Sequence, residues 1–233
     1  MKSIVVVPAY NEGESVRGVV QAIKNLNRDD VDVLVVNDGS EDNTSDEARA
    51  AGAIVLDLPE NLGIGGAVQT GFLYALYNDY DAVIQIDGDG QHDPKDLDRL
   101  LVPLGEGRAD MIIGSRFVEK TDYKPDVFRL MGIKYFAKIV SFAAKQRLTD
   151  TTSGYRALNR RCIELFANYY PSDYPEVEAI LYALSNNLSV AEVSVDMQGR
   201  QGGSSSITPL KSLYYMIKVT FSIIFLHEKE GCK

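Results

Sequence analysis

The sequence predicts an α/β fold in which a mostly parallel, Rossmann-like sheet is flanked by helices. Short apolar runs alternate with segments of helical spacing along the first half of the 233-residue chain. These runs lack regular polar alternation, so both faces of each strand should be buried, as in a parallel sheet covered by helices. Polar and glycine residues follow several of the runs, at the strand ends where open parallel sheets bind ligands.

Each predicted strand and helix is indicated by the pattern of apolar residues in its own segment. The predicted strands are 3–10, 31–40, 53–58, 81–86, 109–115 and, late in the chain, 188–197. The predicted helices are 11–26, 41–52, 65–79, 93–104, 128–147, 176–187 and 210–226. The first helix is indicated by Val16, Val19, Val20 and Ile23, which recur at helical spacing, and the second ends at Gly52. A flexible loop is predicted over 199–209.

Charge is distributed unevenly along the chain. Residues 1–128 carry a net charge of −13, and residues 129–233 carry +4. An acidic first part would repel a polyanion, which argues against nucleic acid as a partner. Cys162 and Cys232 form no disulfide framework, and the N-terminal apolar run is too short for a signal peptide. We therefore expect a protein of the reducing cytosol.

An acidic cluster, "DAVIQIDGDGQHDP", ends the fourth predicted strand. Neighbouring carboxylates raise one another's pKa, so Asp87, Asp89 and Asp93 together call for a compensating cation. Asp87, Asp89 and Gln91 fit the first ligand positions of an EF-hand. However, His92 stands where that loop needs glycine, and no helix precedes it. A Mg²⁺ or Mn²⁺ ion shared with substrate phosphates is favoured, and a solvated loop remains the alternative.

Two common nucleotide-binding motifs are absent. The turn after the first strand lacks G-x-G-x-x-G, which argues against a dinucleotide site. "NLGIGGAV" lacks the G-K-[ST] of a P-loop. Its glycines, Gly63 among them, allow a close approach of a helix either to the sheet or to a ligand, and both readings stay open.

Six motifs occur in a fixed order: "VVVPAYNEGESV", "VVNDGSEDNT", "NLGIGGAVQTG", "IQIDGDGQHDP", "IIGSRF" and "DTTSGYRA". Over roughly residues 3–210 the chain resembles the family 2 glycosyltransferases, which have the GT-A fold. The resemblance is closest to the polyprenyl-phosphate and dolichyl-phosphate sugar synthases. It implies a nucleotide-diphosphate sugar as donor, a divalent metal ion, and inversion at the anomeric carbon.

The resemblance also implies a nucleotide and metal site. Pro8, Tyr10 and Glu12 would line the nucleoside pocket with Gly63, and Asp38 would bond to the base or ribose. Asp87 and Asp89 match the family's Asp-x-Asp pair. Asp89 and Gln91 would hold the metal on the pyrophosphate, and Asp87 would lie near the ribose and the metal. The base stays open between uridine and guanosine, and the sugar is not specified.

Further residues are implied at the phosphates and the acceptor. Arg116 would reach the phosphates, and Asp150 with Ser153–Arg156 would lie near the donor sugar and the acceptor. Arg129 and Arg200 join this group, Arg200 through a loop that closes on phosphate. A surface cation is the alternative for Arg116 and Arg200, and a helix or turn cap is the alternative for Asp150. His92 is expected to orient the metal loop.

The acceptor determines whether a base is needed. A lipid phosphate arrives ionised and needs none, whereas a sugar hydroxyl needs a carboxylate within about 3 Å. Asp150 is the first candidate for that base, and Glu176 or Glu178 is the next. The absence of an evident base constellation favours the phosphate.

Two helices indicate a membrane setting. Lys134, Lys138, Ser141 and Lys145 form one stripe on an otherwise apolar helix, and the last helix repeats this pattern. Such helices are typical of the membrane interface, although the last one is too short to span a bilayer. The alternative is two helices packed on the core with solvated lysines. We divide the chain into a catalytic domain, 1–206, and an interface helix with its tail, 207–233.

Together these features predict an enzyme at the inner face of the cell membrane that transfers a sugar to a polyprenyl phosphate. A separate membrane protein is a further expected partner. Two alternatives remain: transfer to a hydroxyl of a cell-surface polysaccharide, and a non-catalytic subunit that binds nucleotide-sugar.

Overall fold

The computed structural model describes residues 1–119, 127–172 and 175–197, with the backbone alone for 127–129. The strands are β1 (Ser3–Ala9), β2 (Val31–Asn37), β3 (Ile54–Asp57), β4 (Ala82–Gln85), β5 (Met111–Ser115), β6 (Arg156–Asn159) and β7 (Val190–Ser194). The helices are α1 (Val16–Lys24), α2 (Thr44–Ala50), α3 (Gly63–Tyr77), α4 (Leu97–Gly105), α5 (Val127–Ala144), α6 (Arg160–Asn168) and α7 (Pro175–Ser185).

The strands form one seven-stranded sheet in the order β3-β2-β1-β4-β6-β5-β7. All neighbouring pairs are parallel except those of β6, which runs antiparallel to both β4 and β5. The predicted α/β fold with a mostly parallel sheet is thus confirmed.

Two elements, β6 and α6, were missed by the sequence prediction. β6 has only four residues and is mostly buried, so it shows no polar alternation. Helix α6 does carry a helical signal, because its buried residues Cys162, Ile163, Phe166 and Ala167 recur on one face. The predicted interface helix, the 206/207 boundary and Arg200 lie outside the described residues.

The core lies on both faces of the sheet. Ile4 and Val6 of β1 pack on the side of α3, α5, α6 and α7, whereas Val5 and Val7 pack on the side of α1, α2 and α4. Burial of both faces explains why strands such as β1 and β5 are nearly continuous apolar runs. In the part of the chain that the structure describes, no helix is long and apolar enough to cross a bilayer.

The close packing of α3 on β1 gives a testable prediction. A Cβ placed on Gly71 would lie 2.3 Å from Cγ1 of Val6. Gly71→Ala should therefore lower the free energy of unfolding by about 1–3 kcal/mol, the usual cost of overpacking. In α1, a Cβ on Gly18 meets nothing within 4 Å, so Gly18→Ala should raise that free energy by about 0.5–1 kcal/mol. Urea denaturation measures both, and equal changes would contradict the packing described.

Candidate active site

The loops that follow β1 and β2 are tied to each other. The Asn11 amide donates to Oγ of Ser40 (2.9 Å), and the Glu41 amide donates back to Oδ1 of Asn11 (2.9 Å). Asn11 adopts a positive φ of 52° to make this turn. Tyr10, beside it, leaves 47% of its surface exposed. The two strand ends thus form one continuous rim with an accessible aromatic ring.

Asp38 connects this rim to the start of α3. Its Oδ1 accepts the amide of Leu62 at 2.7 Å, and the residue is only 3% exposed. Burial raises the pKa of Asp38, and the amides of Leu62 and Gly63 partly offset that rise. Asp38 therefore has a structural role at the head of α3, and its contact with a base or ribose stays a prediction.

The other predicted nucleoside residues lie along the same strand end. Pro8 is buried within β1, where it pairs with Val36 of β2. Glu12 is half-buried, and its carboxylate accepts the Ser15 hydroxyl at 2.6 Å. The structure thus brings together Pro8, Tyr10, Glu12, Asp38 and Gly63 around the ends of β1 and β2, as the resemblance implied. Their contact with a nucleotide stays a prediction.

The acidic loop follows β4, beside this rim. Oδ1 of Asp89 accepts the amide of Gln91 at 3.1 Å, across a turn that Gly90 makes with a φ of +74°. Asp89 is 4% exposed. The carbonyl of Pro8 lies 3.3 Å from where a Cβ on Gly88 would be, so this loop touches the end of β1. The acidic loop and the residues predicted to line the nucleoside pocket therefore lie at the same end of the sheet.

Asp87 is held by its surroundings in the ionised form. Burial acts to raise its pKa, but contact with His92 and the positive charge of Arg156 outweigh burial, and the pKa lies below its ordinary value. Nε2 of His92 lies 3.2 Å from Oδ2 of Asp87, and the His92 ring packs against Tyr155 with 5.0 Å between centroids. This geometry agrees with the expectation that His92 orients the loop.

The donor set at this loop suits a hard divalent cation. Among the described residues, no group of three or more His, Cys, Asp or Glu side chains is placed to hold a metal ion. Two carboxylates and an amide oxygen therefore cannot form an all-protein cage. Mg²⁺ commonly binds one or two carboxylates and takes its remaining ligands from substrate phosphates and water. Asp87, Asp89 and Gln91 fit that pattern.

The turn at 149–155 lies against Asp87 from the other side. A Cβ on Gly154 would lie 2.7 Å from Oδ2 of Asp87, so only glycine allows this approach. Arg156, at the end of the turn, donates to the carbonyls of Ser153 (2.8 Å) and Thr151 (3.2 Å). Arg156 and Ser153 are 1% and 2% exposed. Both lie beneath the site rather than at its surface, and their predicted acceptor contacts remain predictions.

Arg116 and Asp150 form a buried, bidentate ion pair. Nε of Arg116 donates to Oδ2 of Asp150 at 2.5 Å and Nη2 to Oδ1 at 2.6 Å, and the Arg116 amide adds a third bond at 3.1 Å. The two residues are 3% and 0% exposed. The surface-cation alternative for Arg116 is therefore wrong. In this conformation the Asp150 carboxylate is enclosed, and neither its role as a base nor the contact of Arg116 with phosphate is tested.

Two further candidates lie in helices α7 and α5. Glu176 lies in the first turn of α7, and burial raises its pKa although the charge of Arg156 counteracts that effect. Arg129 lies in the first turn of α5, where only the backbone is described. Sequence reasoning missed Gln85 and Glu192, two polar residues within strands β4 and β7. The signal was present, because each interrupts an otherwise apolar run.

The sequence is similar to those of known proteins. A sequence model described as glycosyl transferase family 2 matches residues 4–166. The chain is 31% identical over 228 residues to polyprenol monophosphomannose synthase of Mycolicibacterium smegmatis, covering 94% of this chain and 85% of that protein. It is 30% identical over 224 residues to undecaprenyl-phosphate mannosyltransferase of Micrococcus luteus, covering 89% and 88%.

A solved structure confirms the predicted GT-A fold. Glucosyl-3-phosphoglycerate synthase of Mycobacterium tuberculosis, in complex with Mn²⁺, uridine diphosphate and glucosyl-3-phosphoglycerate, aligns with a TM-score of 0.72. The alignment covers 96% of this chain and 78% of that chain, at 21% identity. The likeness therefore extends over nearly the whole of the present chain.

Proposed function

Because the chain belongs to glycosyltransferase family 2, we propose that it transfers a sugar from a nucleotide-diphosphate sugar to a polyprenyl phosphate, with inversion at the anomeric carbon. Two relatives of about the same extent are named for polyprenol and undecaprenyl phosphate. The observation that carries the proposal is the shared edge at the ends of β1, β2 and β4. There the paired carboxylates Asp87 and Asp89 adjoin the rim that contains Tyr10.

In this proposal Asp89 and Gln91, with Asp87, hold a Mg²⁺ or Mn²⁺ ion on the diphosphate. When bound, such an ion stabilises the negative charge that develops on the leaving nucleoside diphosphate. The surroundings of Asp87 favour the charged form that binds a cation. His92 and Arg156 lower the pKa of Asp87, so its carboxylate stays charged at neutral pH and is protonated only in acid. Gly154 leaves room for that carboxylate.

The state of Asp150 supports a phosphate acceptor. A phosphate monoester has its second pKa near 6, so it is largely dianionic at neutral pH and needs no base. A hydroxyl acceptor would need one. The first candidate for that base, Asp150, is fully buried and engaged by three hydrogen bonds from Arg116.

The outer face of α5 supports a position at an anionic membrane surface. Met131 and Phe142 are 64% and 73% exposed, and Tyr135 is 39% exposed. Lys134, Lys138 and Lys145 are exposed beside them. The opposite face of α5, which includes Phe136 and Val140, packs in the core. On that face α5 is the core-packed helix that the alternative interpretation predicts.

An exposed face that mixes aromatic, aliphatic and lysine side chains suits the headgroup region of anionic lipids. Sedimentation with phosphatidylglycerol vesicles should capture the protein, and phosphatidylcholine vesicles should capture much less. Equal recovery with both, or with neither, would reject the membrane position. The cytoplasmic side of the membrane and a separate membrane partner remain part of the proposal.

The transfer assay combines the purified protein, Mg²⁺ or Mn²⁺, labelled UDP- and GDP-sugars, and a polyprenyl phosphate. We expect label in a lipid-extractable product with one donor. Label on a glycan acceptor but none in lipid would instead support the hydroxyl alternative. Neither transfer nor metal-dependent donor hydrolysis would support the non-catalytic alternative.

A further inference from the structure

Glu192 of β7 binds the backbone of the segment that carries Asp150. Oε1 accepts the Asp150 amide at 2.7 Å, and Oε2 accepts the Thr149 amide at 2.7 Å. Oε2 also accepts the Thr149 hydroxyl at 2.9 Å. One carboxylate thus receives three donors from two consecutive residues, using both of its oxygens.

This carboxylate starts a chain of contacts that reaches the acidic loop. Asp150, whose amide Glu192 holds, binds the guanidinium of Arg116 through both carboxylate oxygens. Nη1 of Arg116 lies 3.6 Å from Sδ of Met197. The backbone of Met197 pairs with that of His92, the residue that contacts Asp87.

The same turn is held from its other side. Arg156 donates to the carbonyls of Thr151 and Ser153, while Glu192 accepts from the amides of Thr149 and Asp150. A cation therefore binds the carbonyls and an anion binds the amides of one short segment. Since Gly154 of this segment lies against Asp87, a shift of the turn would move the Asp87 carboxylate.

Keeping Glu192 ionised beside these donors costs free energy. Burial raises the pKa of Glu192, the amides of Asp150 and Thr149 counteract that rise, and the negative charge of Asp150 adds to it. The carboxylates of Glu192 and Asp150 are thus held close together although their negative charges repel each other. A glutamine would avoid the repulsion but would offer one acceptor oxygen in place of two.

We propose that Glu192 is a positioning residue for sugar transfer, which fixes the 149–155 turn and thereby the placement of the Asp150–Arg116 pair and of Asp87. This inference rests on the proposed function, because its effect on the rate is measured as sugar transfer. Glu192 acts through the turn and touches neither donor nor acceptor.

The test is Glu192→Gln, which keeps the shape of the side chain. In the variant an NH2 group replaces one of the two acceptor oxygens and faces the backbone amide of Thr149 or Asp150, from which it cannot accept a hydrogen bond. We expect kcat for transfer to fall by about 10- to 100-fold, the usual effect of losing a supporting residue behind a site. KM for the donor should change less than kcat does, because the rim at Tyr10 and Asp38 shares no described contact with Glu192 and only the placement of Asp87 links the turn to the donor diphosphate. Glu164→Gln, at an exposed pair with Arg160, should leave both values unchanged.

A second measurement needs no substrate. Hydrogen–deuterium exchange should quicken in peptides that contain Thr149 and Asp150 in the variant, with peptides from β1 and β2 unchanged. If the native protein transfers no sugar to lipid, the proposed function fails, and the exchange result still tests Glu192. Unchanged exchange at 149–150 overturns the inference, as does an unchanged kcat. Faster exchange throughout the protein, with kcat and donor affinity falling together, shows a purely structural role and also overturns it.

Discussion

Asp89→Asn is expected to lower the rate of sugar transfer by about 100-fold or more, the scale seen when one electrostatic group is removed from a transition state. The substitution keeps the shape of the side chain and removes its charge. Asp89 is 4% exposed, and among the described residues no group of three or more His, Cys, Asp or Glu side chains is placed to hold a metal ion, so Asp87 and Gln91 alone should not compensate for its loss. The same variant should lose the Mn²⁺-dependent thermal stabilisation by nucleoside diphosphate, because ligand binding raises stability only where the ligand is held.

Asp98→Asn is the matched control for Asp89→Asn. It removes the same charge a few residues away, from a side chain that is 68% exposed and paired with Arg28. Its transfer rate and its nucleotide-dependent stabilisation should equal those of the native protein. Wild-type rates in Asp89→Asn would contradict the assignment of the acidic loop.

Arg116→Met is expected to lower the free energy of unfolding by about 3–5 kcal/mol, the cost of leaving a buried charge without its partner. Asp150 is 0% exposed and receives three hydrogen bonds from Arg116. Methionine keeps much of the side-chain length and removes the two guanidinium donors, so that only the bond from the backbone amide remains. Urea denaturation followed by circular dichroism measures the change.

An exposed ion pair provides the control for Arg116→Met. Arg17 pairs with Glu47, and its side chain is 47% exposed, so Arg17→Met should cost about 0–1 kcal/mol. If Arg116→Met does not fold, Arg116→Met combined with Asp150→Leu should recover folding, because a buried pair replaced by apolar groups is often tolerated. Equal losses for Arg116→Met and Arg17→Met would contradict the buried pair.

Most strands could be placed along the chain because they leave an apolar run, and β1, β4 and β5 are buried on both faces. The antiparallel insertion of β6 between β4 and β5 was not predictable, since it depends on pairing between segments far apart in sequence. The site shows the same division. The ordered motifs predicted Asp87 and Asp89 as metal ligands, which stays a prediction. They did not indicate that the partner of Arg116 lies 34 residues away or that the partner of Glu192 lies 42 residues away. Sequence reasoning identified Arg116 but missed Glu192, and it predicted the partner of neither.

A crystal structure of the protein with Mn²⁺ and the nucleoside diphosphate that stabilises it tests most directly whether Asp87 and Asp89 hold a metal ion on the diphosphate. We expect an anomalous Mn²⁺ peak bonded to Asp89 and to diphosphate oxygens, with the nucleoside along the rim formed by Tyr10 and Asp38. A diphosphate bound elsewhere, or a metal ion that contacts neither Asp87 nor Asp89, would contradict it.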